Sequence, residues 1–425
     1  MINKFAVWGI GFRTEALLKV IGIEHVSVFI DNNSDAIGEF FHGREVISFE
    51  KYIENYRNVP IIVTPVYVED EIISQIESVG GINYLLLSMN PSEIQGYGIR
   101  NYISYSSQKL SPTLRNVIYG DNLFAYLMYE TAVNIIGEKA VALCTEGLEN
   151  EKMFLACMDM LGCKAIPRSD ITPSDNVLLA TRETTDIGVT NQIGIYDLSY
   201  EIPEYFNKKN LLLKDTHNGE ACFIVATGPS LCIDDLGRIR KKGFFTFGVN
   251  RVFNIDPTRW KPDCYIFLDR KGSMQFAHEI KEYPVPLKCL NASTDGIFGD
   301  REDEYLFNYA AHDHYLQMPP FSENAEYVIY GAATVVYGVI QLAVYMGFET
   351  IYLLGTDCNY EKGSKNNYFV KTEQPDTLNH DVKRMFLCYE AAKEYADTHG
   401  IKIYNATRGG MLEVFERVDL DSLFE

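Results

Sequence analysis

The sequence predicts an α/β protein: two tandem Rossmann-like units followed by a larger α/β domain. Three observations carry this. Short apolar runs such as FAVWGIG, HVSVFI and VPIIVTP alternate with helical stretches such as TEALLKVIG, the order that builds parallel sheets. The same order then returns before residue 200. From Ala221 it restarts with a strongly apolar run, ACFIVATG. At 425 residues the chain is too long for one ordinary core, so two or three domains are expected.

Residues 1–110 open with FAVWGIG, a strand running into a glycine turn, and the helix TEALLKVIG. HVSVFIDNN is a second strand with an acidic-polar end, and REVIS, a helix near FEKYIENY and the strand VPIIVTP follow. Residues 111–200 repeat that series as NVIYGDN with FAYLMYETAV, then AVALCTE, GCKAIPRSD and DNVLLAT. Gly120 takes the place of Gly9 and Gly162 that of Gly43, so the two units are expected to superpose. Residues 201–220 are polar and aperiodic and read as a linker. Residues 221–425 form the larger domain.

A dinucleotide-binding turn carries three glycines and an acidic residue at the end of the next strand. The first unit has G-I-G-F-R-T, which lacks the third glycine, although Asp31 does end its second strand. The repeat has Gly-Asp-Asn and places Thr145 where Asp31 stood. A structural role is the simpler reading of both turns, with nucleotide binding an alternative for the first.

Composition narrows the class. Hydrophobic residues make up 47% and charged residues 23%, and no charge-free run of eighteen apolar residues occurs, so a spanning helix is not expected. Arg13 and Glu15 interrupt the first apolar stretch, which therefore reads as a strand and helix and not as a signal peptide, and a cytoplasmic location is expected. A net charge of −20 repels nucleic acid. The basic run Arg238, Arg240, Lys241, Lys242 reads as the solvated end of a helix. Nine scattered cysteines without CxxC spacing point to reduced, buried thiols. His312 and His314 form an H-x-H pair with no identifiable third ligand, so no metal site is assigned.

The second half concentrates polar residues at strand ends. ACFIVATG runs into Pro229, Ser230 and Leu231; a strand followed by Gly-Pro-Ser offers backbone N–H groups and a hydroxyl to a phosphate. FFTFGVNRVF is a strand ending at Asn250, and KPDCYIFLDRKG one ending at Asp269. A long apolar helix containing Gln341 leads to TIYLLGTD, closed by Asp357 at the edge where open α/β sheets bind ligands. A polar loop with Tyr368 follows, then His380 before the helix FLCYEAAKEYADTHG and the strand IKIYNATRGGMLEVF. Asn250 also reads as a strand-ending turn residue, Asp357 as a cap, Tyr368 as an exposed aromatic, and His380, between Asp376 and Asp381, as a solvated helix start. Asn405, Thr407, Gly409 and Gly410 form a turn whose glycines answer a need for positive φ.

The series ATGPSL, GVNRVF, GFETIYLLGTDCNY, NHD and GIKIYNATRGG resembles a superfamily shared by three groups. These are lipooligosaccharide sialyltransferases, flagellin-modifying motility accessory factors and MptE-like 6-hydroxymethylpterin diphosphokinases. The ending is closest to the accessory-factor and MptE-like branch, and the N-terminal part is similar to small domains of glycan-biosynthesis enzymes. The sialyltransferase pattern implies that Gly228, Pro229 and Ser230 hold the donor, with Thr227 where the family has an asparagine. It implies Asn250 as a contact to donor phosphate or ribose, Tyr368 as the residue steadying the leaving phosphate and His380 as the general base. The family's arginine and serine have no counterpart; Ala332 to Val335 occupy that region.

The resemblance implies a sialyltransferase-like transferase using a nucleotide sugar, a CMP-linked nonulosonate among the candidates, and acting on a glycan or protein acceptor in surface-glycan assembly, without a required cofactor. The alternative is transfer of pyrophosphate from ATP to a pterin-like alcohol, with Mg²⁺ between the phosphates and the strand-end carboxylates Asp269 and Asp357. A non-catalytic nucleotide- or glycan-binding protein is a third reading, and a homo-oligomer is compatible with all three.

Overall fold

The computed structural model describes residues 5–65, 68–87, 93–94, 98–148, 150–181, 186–195, 205–294, 296–311, 318–331, 333–361, 364, 366–370 and 382–424. The chain is α/β and forms two compact units, one chiefly Met1–Glu93 and Tyr97–Glu201, the other chiefly Ile202–His312 and Leu316–Glu425.

Unit 1 contains two sheets. The first comprises β1 (Phe5–Trp8), β2 (Val26–Ile30), β3 (Phe40–Phe41), β4 (Arg44–Ile47), β5 (Ile61–Val63) and β6 (Tyr84–Leu86), with helices α1 (Phe12–Ile21), α2 (Phe49–Asn55) and α3 (Glu69–Val79) between them. Strand order is β3-β4-β2-β1-β5-β6, parallel except for the β3–β4 pair. β1 lies at the centre because FAVW is apolar on both faces and all four residues are buried. Trp8, Phe49 and Tyr52 fill one face, with Trp8 and Phe49 ring centroids 4.7 Å apart.

After a two-residue strand β7 (Glu93–Ile94) and helix α4 (Gly98–Ser107), the second sheet follows. It uses β8 (Asn116–Tyr119), β9 (Val141–Cys144), β10 (Ala165–Ile166), β11 (Asn176–Leu179) and β12 (Asn191–Gly194), with α5 (Leu123–Ile136) and α6 (Glu151–Met160). Its order, β10-β9-β8-β11-β12, again puts the first strand in the middle and every pair parallel. The equivalence reaches single hydrogen bonds. Gly9 N–H donates to Ile30 O at 2.8 Å, and Gly120 N–H to Cys144 O at 3.0 Å. Thr64 N–H donates to Trp8 O, and Ala180 N–H to Tyr119 O. Both sheets are thus Rossmann-like, with Gly9 and Gly120 in corresponding turns.

Unit 2 is built on one eight-stranded sheet. Its strands are β13 (Ala221–Val225), β14 (Phe245–Val249), β15 (Cys264–Phe267), β16 (Leu287–Asn291), β17 (Glu304–Phe307), β20 (Thr350–Leu354), β21 (Lys402–Asn405) and β22 (Glu416–Arg417). β18 (Tyr309–Ala311) and β19 (Ile329–Gly331), outside this sheet and parallel to each other, precede the apolar helix α10 (Val335–Tyr345). The remaining helices are α7 (Ile233–Lys242), α8 (Arg270–Gln275), α9 (Ala277–Glu282) and α11 (Val382–His399). Residues 208–213 form a 3₁₀ turn in which Asn210 and Leu213 are buried. Asn207 and Asn210 donate to Leu306 O from it.

Order in the large sheet is β17-β16-β15-β14-β13-β20-β21-β22, all parallel, with Ile224 in register with Phe247 on one side and Leu353 on the other. α10 is apolar nearly all round because both its faces are buried. Gln341 in its middle accepts from Ser322 N–H and Tyr330 N–H, both at 3.0 Å, and donates to Tyr330 O and Tyr337 O. That explains a buried polar residue in an apolar helix. None of the helices among the described residues is long and apolar enough to cross a membrane.

Candidate functional site

Strand order fixes where a ligand is expected. The chain enters each sheet at its middle strand, adds strands to one side, then crosses to the other. In unit 2 that reversal falls between β13 and β20, and the crevice outside the carboxyl ends of such a pair is where open parallel sheets bind ligands. Thr227, Gly228, Pro229 and Ser230 leave β13 there, and Asp357 leaves β20.

The structure brings these residues together. Ser230 Oγ donates to Asp357 Oδ2 at 2.8 Å, and Ser230 N–H to Asp357 Oδ1 at 3.2 Å. Gly228 N–H donates to Gly355 O at 2.9 Å. Glycine is required at 228, since a Cβ there would lie 1.9 Å from Asp357 Oδ2 and 2.4 Å from Gly355 O. Asp357 is 5% exposed. Burial pushes its carboxyl above the ordinary value, and the two Ser230 bonds and the more distant Arg417 only partly offset that.

The loop beyond Asp357 returns to β13. Phe369 N–H donates to Thr227 O at 3.0 Å, which sets Tyr368 next to the Gly-Pro-Ser turn in the chain path. Asn367 stiffens that loop by pairing with Glu361 N–H and Glu361 O.

The other expected residues are farther off. Asn250 follows β14, one strand away, with φ of 50°, a left-handed value that Asn tolerates, and Tyr265 Oη donates to its carbonyl at 2.7 Å. Asp269 follows β15, two strands from β13, and caps α8 by accepting from Gly272 N–H. At about 4.8 Å per strand spacing, Asp269 and Asp357 belong to edge positions too far apart to share one cation. Asp357 has acceptor capacity left, because a carboxylate offers about four lone-pair sites and Ser230 uses two. It fits one protein ligand of a nucleotide-bound Mg²⁺, which commonly needs only one or two carboxylates. His380, Asp376, Asp381, His312 and His314 lie outside the described residues.

Two arginines also approach this edge, Arg408 in the turn after β21 and Arg417 in β22. Sequence pattern drew attention to the turn's glycines, which do take positive φ (96° at Gly409, 78° at Gly410), and passed over the arginines before and beyond them. A surface arginine beside a glycine pair has no spacing signal of its own.

Three other places could be taken for a site. In unit 1 the turns at the corresponding strand ends pack closely on the next strand's end. A Cβ at Gly9 would lie 2.7 Å from Thr64 Oγ1, while Thr14 Oγ1 pairs with Thr64 Oγ1 and donates to Gly9 O. In the second sheet Asn122 caps α5 and its Nδ2 donates to Ala180 O at 2.7 Å. In unit 2 a cavity of about 710 Å³ opens at the opposite, amino-terminal edge of the large sheet, beside Arg240, Lys242, Lys261 and Trp260. Arg240 and Lys242 stand in the last turn of α7, where cations complement the helix dipole.

No curated protein and no solved structure matches the chain. Residues 197–363, which run from before β13 through the Gly-Pro-Ser turn to just beyond Asp357, are similar to the family described as 6-hydroxymethylpterin diphosphokinase MptE-like.

Proposed function

We propose that unit 2 is a transferase that takes a nucleotide-activated donor at the carboxyl edge of its sheet, with the donor phosphates over Gly228, Pro229 and Ser230. The observation that carries this reading is the Ser230–Asp357 pair at the β13/β20 switch point, inside the segment similar to a diphosphokinase family. A carboxylate at that point favours phosphoryl chemistry: the hydroxyl oxygen of a pterin-like alcohol bonds the β-phosphorus of ATP, the bond from that phosphorus to the α,β-bridging oxygen breaks, AMP leaves, and the hydroxyl proton passes to solvent. Mg²⁺ held by Asp357 would neutralise charge on the phosphoryl oxygens. Ser230, whose N–H and hydroxyl now face Asp357, would turn them to a phosphate oxygen when that carboxylate is drawn to the cation.

Glycosyl transfer from a nucleotide sugar, within surface-glycan or protein glycosylation, is the second reading. It is favoured by the Phe369–Thr227 bond, which keeps the Tyr368 loop beside the donor turn. There Tyr368 would hydrogen-bond the departing phosphate and His380 would take the acceptor proton, a step worth about 10²–10⁴-fold.

Thermal shift of the full chain with ATP and Mg²⁺, CMP, CMP-sialic acid and UDP-sugars tests the class. A ligand at about 100 times its Kd stabilises by about 2.7 kcal/mol, so binding is readily visible. MgATP is expected to give the shift. A shift with nucleotide sugars alone would replace pyrophosphoryl transfer by sugar transfer, and no shift with any nucleotide would remove the proposal.

A further inference from the structure

We propose that the turn from Asn405 to Leu412, acting through Arg408 and Arg417, is the positioning element of the crevice: it fixes Asp357 relative to the Gly-Pro-Ser turn. This rests on the reading above only in taking the crevice as the donor site.

The turn grips both walls. On the β20 side Met411 N–H donates to Asp357 O at 2.7 Å, and Thr407 Oγ1 accepts from Thr356 N–H at 3.1 Å. The approach is close enough that a Cβ on Gly410 would lie 2.6 Å from Asp357 O and 2.7 Å from its Cα. On the β13 side Arg408 makes a two-point contact with Asp235, Nε to Oδ2 at 2.8 Å and Nη2 to Oδ1 at 3.1 Å. Asp235 is buried in the first turn of α7, the helix that directly follows Gly228, Pro229 and Ser230. Arg408 and Arg238 both also reach Asp421, which ties in the chain's last described turn.

Arg417 holds the turn in the shape that permits this. Its Nη1 donates to Thr407 O at 3.2 Å and Gly409 O at 2.8 Å. Its Nη2 reaches Gly410 O at 3.3 Å and Leu412 O at 3.4 Å, and Nε donates to Glu413. A planar fork with five donors can serve four carbonyls and a carboxylate at once, whereas an ammonium on a flexible stem cannot. Two connected contacts therefore set the crevice width: Arg417 shapes the turn, and Arg408 fastens it to α7, the helix that follows Ser230.

The test uses full-length Arg417→Ala, Arg417→Lys, Arg408→Lys and Asp235→Asn. Hydrogen exchange is read at the Met411 and Ser230 amides, and MgATP affinity by calorimetry. Arg417→Ala should speed exchange at both amides and weaken MgATP binding by about tenfold, the effect of losing a modest local opening energy. Arg417→Lys should behave like Ala. Arg408→Lys, which keeps one contact to Asp235, should recover part of the Ser230 protection that Asp235→Asn loses. Faster exchange at Met411 with Ser230 unchanged in every variant would overturn the proposal, because the turn would then order only itself. If Arg417→Ala does not fold, Asp235→Asn decides, since it cuts the anchor without touching the turn. If the unaltered protein binds no nucleotide, the donor-site reading fails, while exchange at Ser230 still decides the clamp.

Discussion

Ser230 and Asp357, 127 residues apart in sequence, meet at the ends of the neighbouring strands β13 and β20 of the large sheet, hydroxyl to carboxylate at 2.8 Å. The contact holds a nearly buried carboxylate with a serine, with Arg417 acting on it only from a distance. Burial makes the ionised form costly.

Asp357→Asn should separate stability from function. The raised carboxyl value means that the folded state binds more protons than the unfolded chain just above the ordinary carboxylate range. Stability therefore falls as pH rises through that range, and the ionised group costs stability at neutral pH. Asparagine keeps both Ser230 contacts, its Oδ1 accepting the N–H and its Nδ2 donating to Oγ. The melting temperature should stay level or rise by a few degrees, while calorimetry should show MgATP affinity lower by at least about tenfold. A variant that melts far lower yet binds MgATP normally would assign Asp357 a purely structural role.

Gly228→Ala should disable the crevice by steric force. The added methyl meets Asp357 Oδ2, so either the turn or the carboxylate moves, at a cost of about 1–3 kcal/mol. Gly237 in the middle of α7 is the control, because a Cβ there meets nothing within 4 Å. Gly237→Ala should gain roughly 1 kcal/mol from helix propensity and leave nucleotide binding intact. Urea denaturation and nucleotide titration of both variants give the comparison.

In unit 1, Arg115 and Asp175 should make a pH-dependent contribution. Arg115 Nε donates to Asp175 Oδ1 at 3.1 Å. Burial alone would raise the Asp175 carboxyl, but the Arg115 fork and Thr172 N–H hold it below its ordinary value. The unfolded chain thus binds more protons, so the stabilisation is complete above the ordinary carboxylate range and is lost as pH falls through the lowered value. Arg115 is 35% exposed on its side chain, so solvent screening limits the coupling to about 1 kcal/mol. A double-mutant cycle with Arg115→Met and Asp175→Asn should show it at neutral pH, and the coupling should shrink when repeated near pH 3. An equal coupling at both values would rule out the charge-pair origin.

His380 and EDTA distinguish the two chemistries. Pyrophosphoryl transfer predicts that EDTA abolishes turnover and that His380→Ala keeps most of it, because phosphoryl charge is the main obstacle. Sugar transfer predicts the reverse, with His380→Ala losing at least about tenfold as the acceptor loses its base. Steady-state assays with each donor, with and without EDTA, decide between them.

Periodicity and turn chemistry by themselves specify much of the architecture. Alternating strands and helices dictated parallel sheets, and the repeat of FAVWGIG as NVIYGDN put Gly9 and Gly120 in equivalent turns, because these signals are local. Gly228, Ser230 and Asp357 were legible as strand-end polar residues for the same reason. What only the tertiary structure decided is which strand ends are neighbours. Strand order made β13 and β20 adjacent and so joined Ser230 to Asp357, while Asp269, equally prominent as a strand-end carboxylate, went two strands away to cap a helix. Arg408 and Arg417 acquired their contacts the same way: their partners, Asp235 and the carbonyls of a turn, are brought within reach by packing, and a guanidinium carries no mark in sequence of what it will hold.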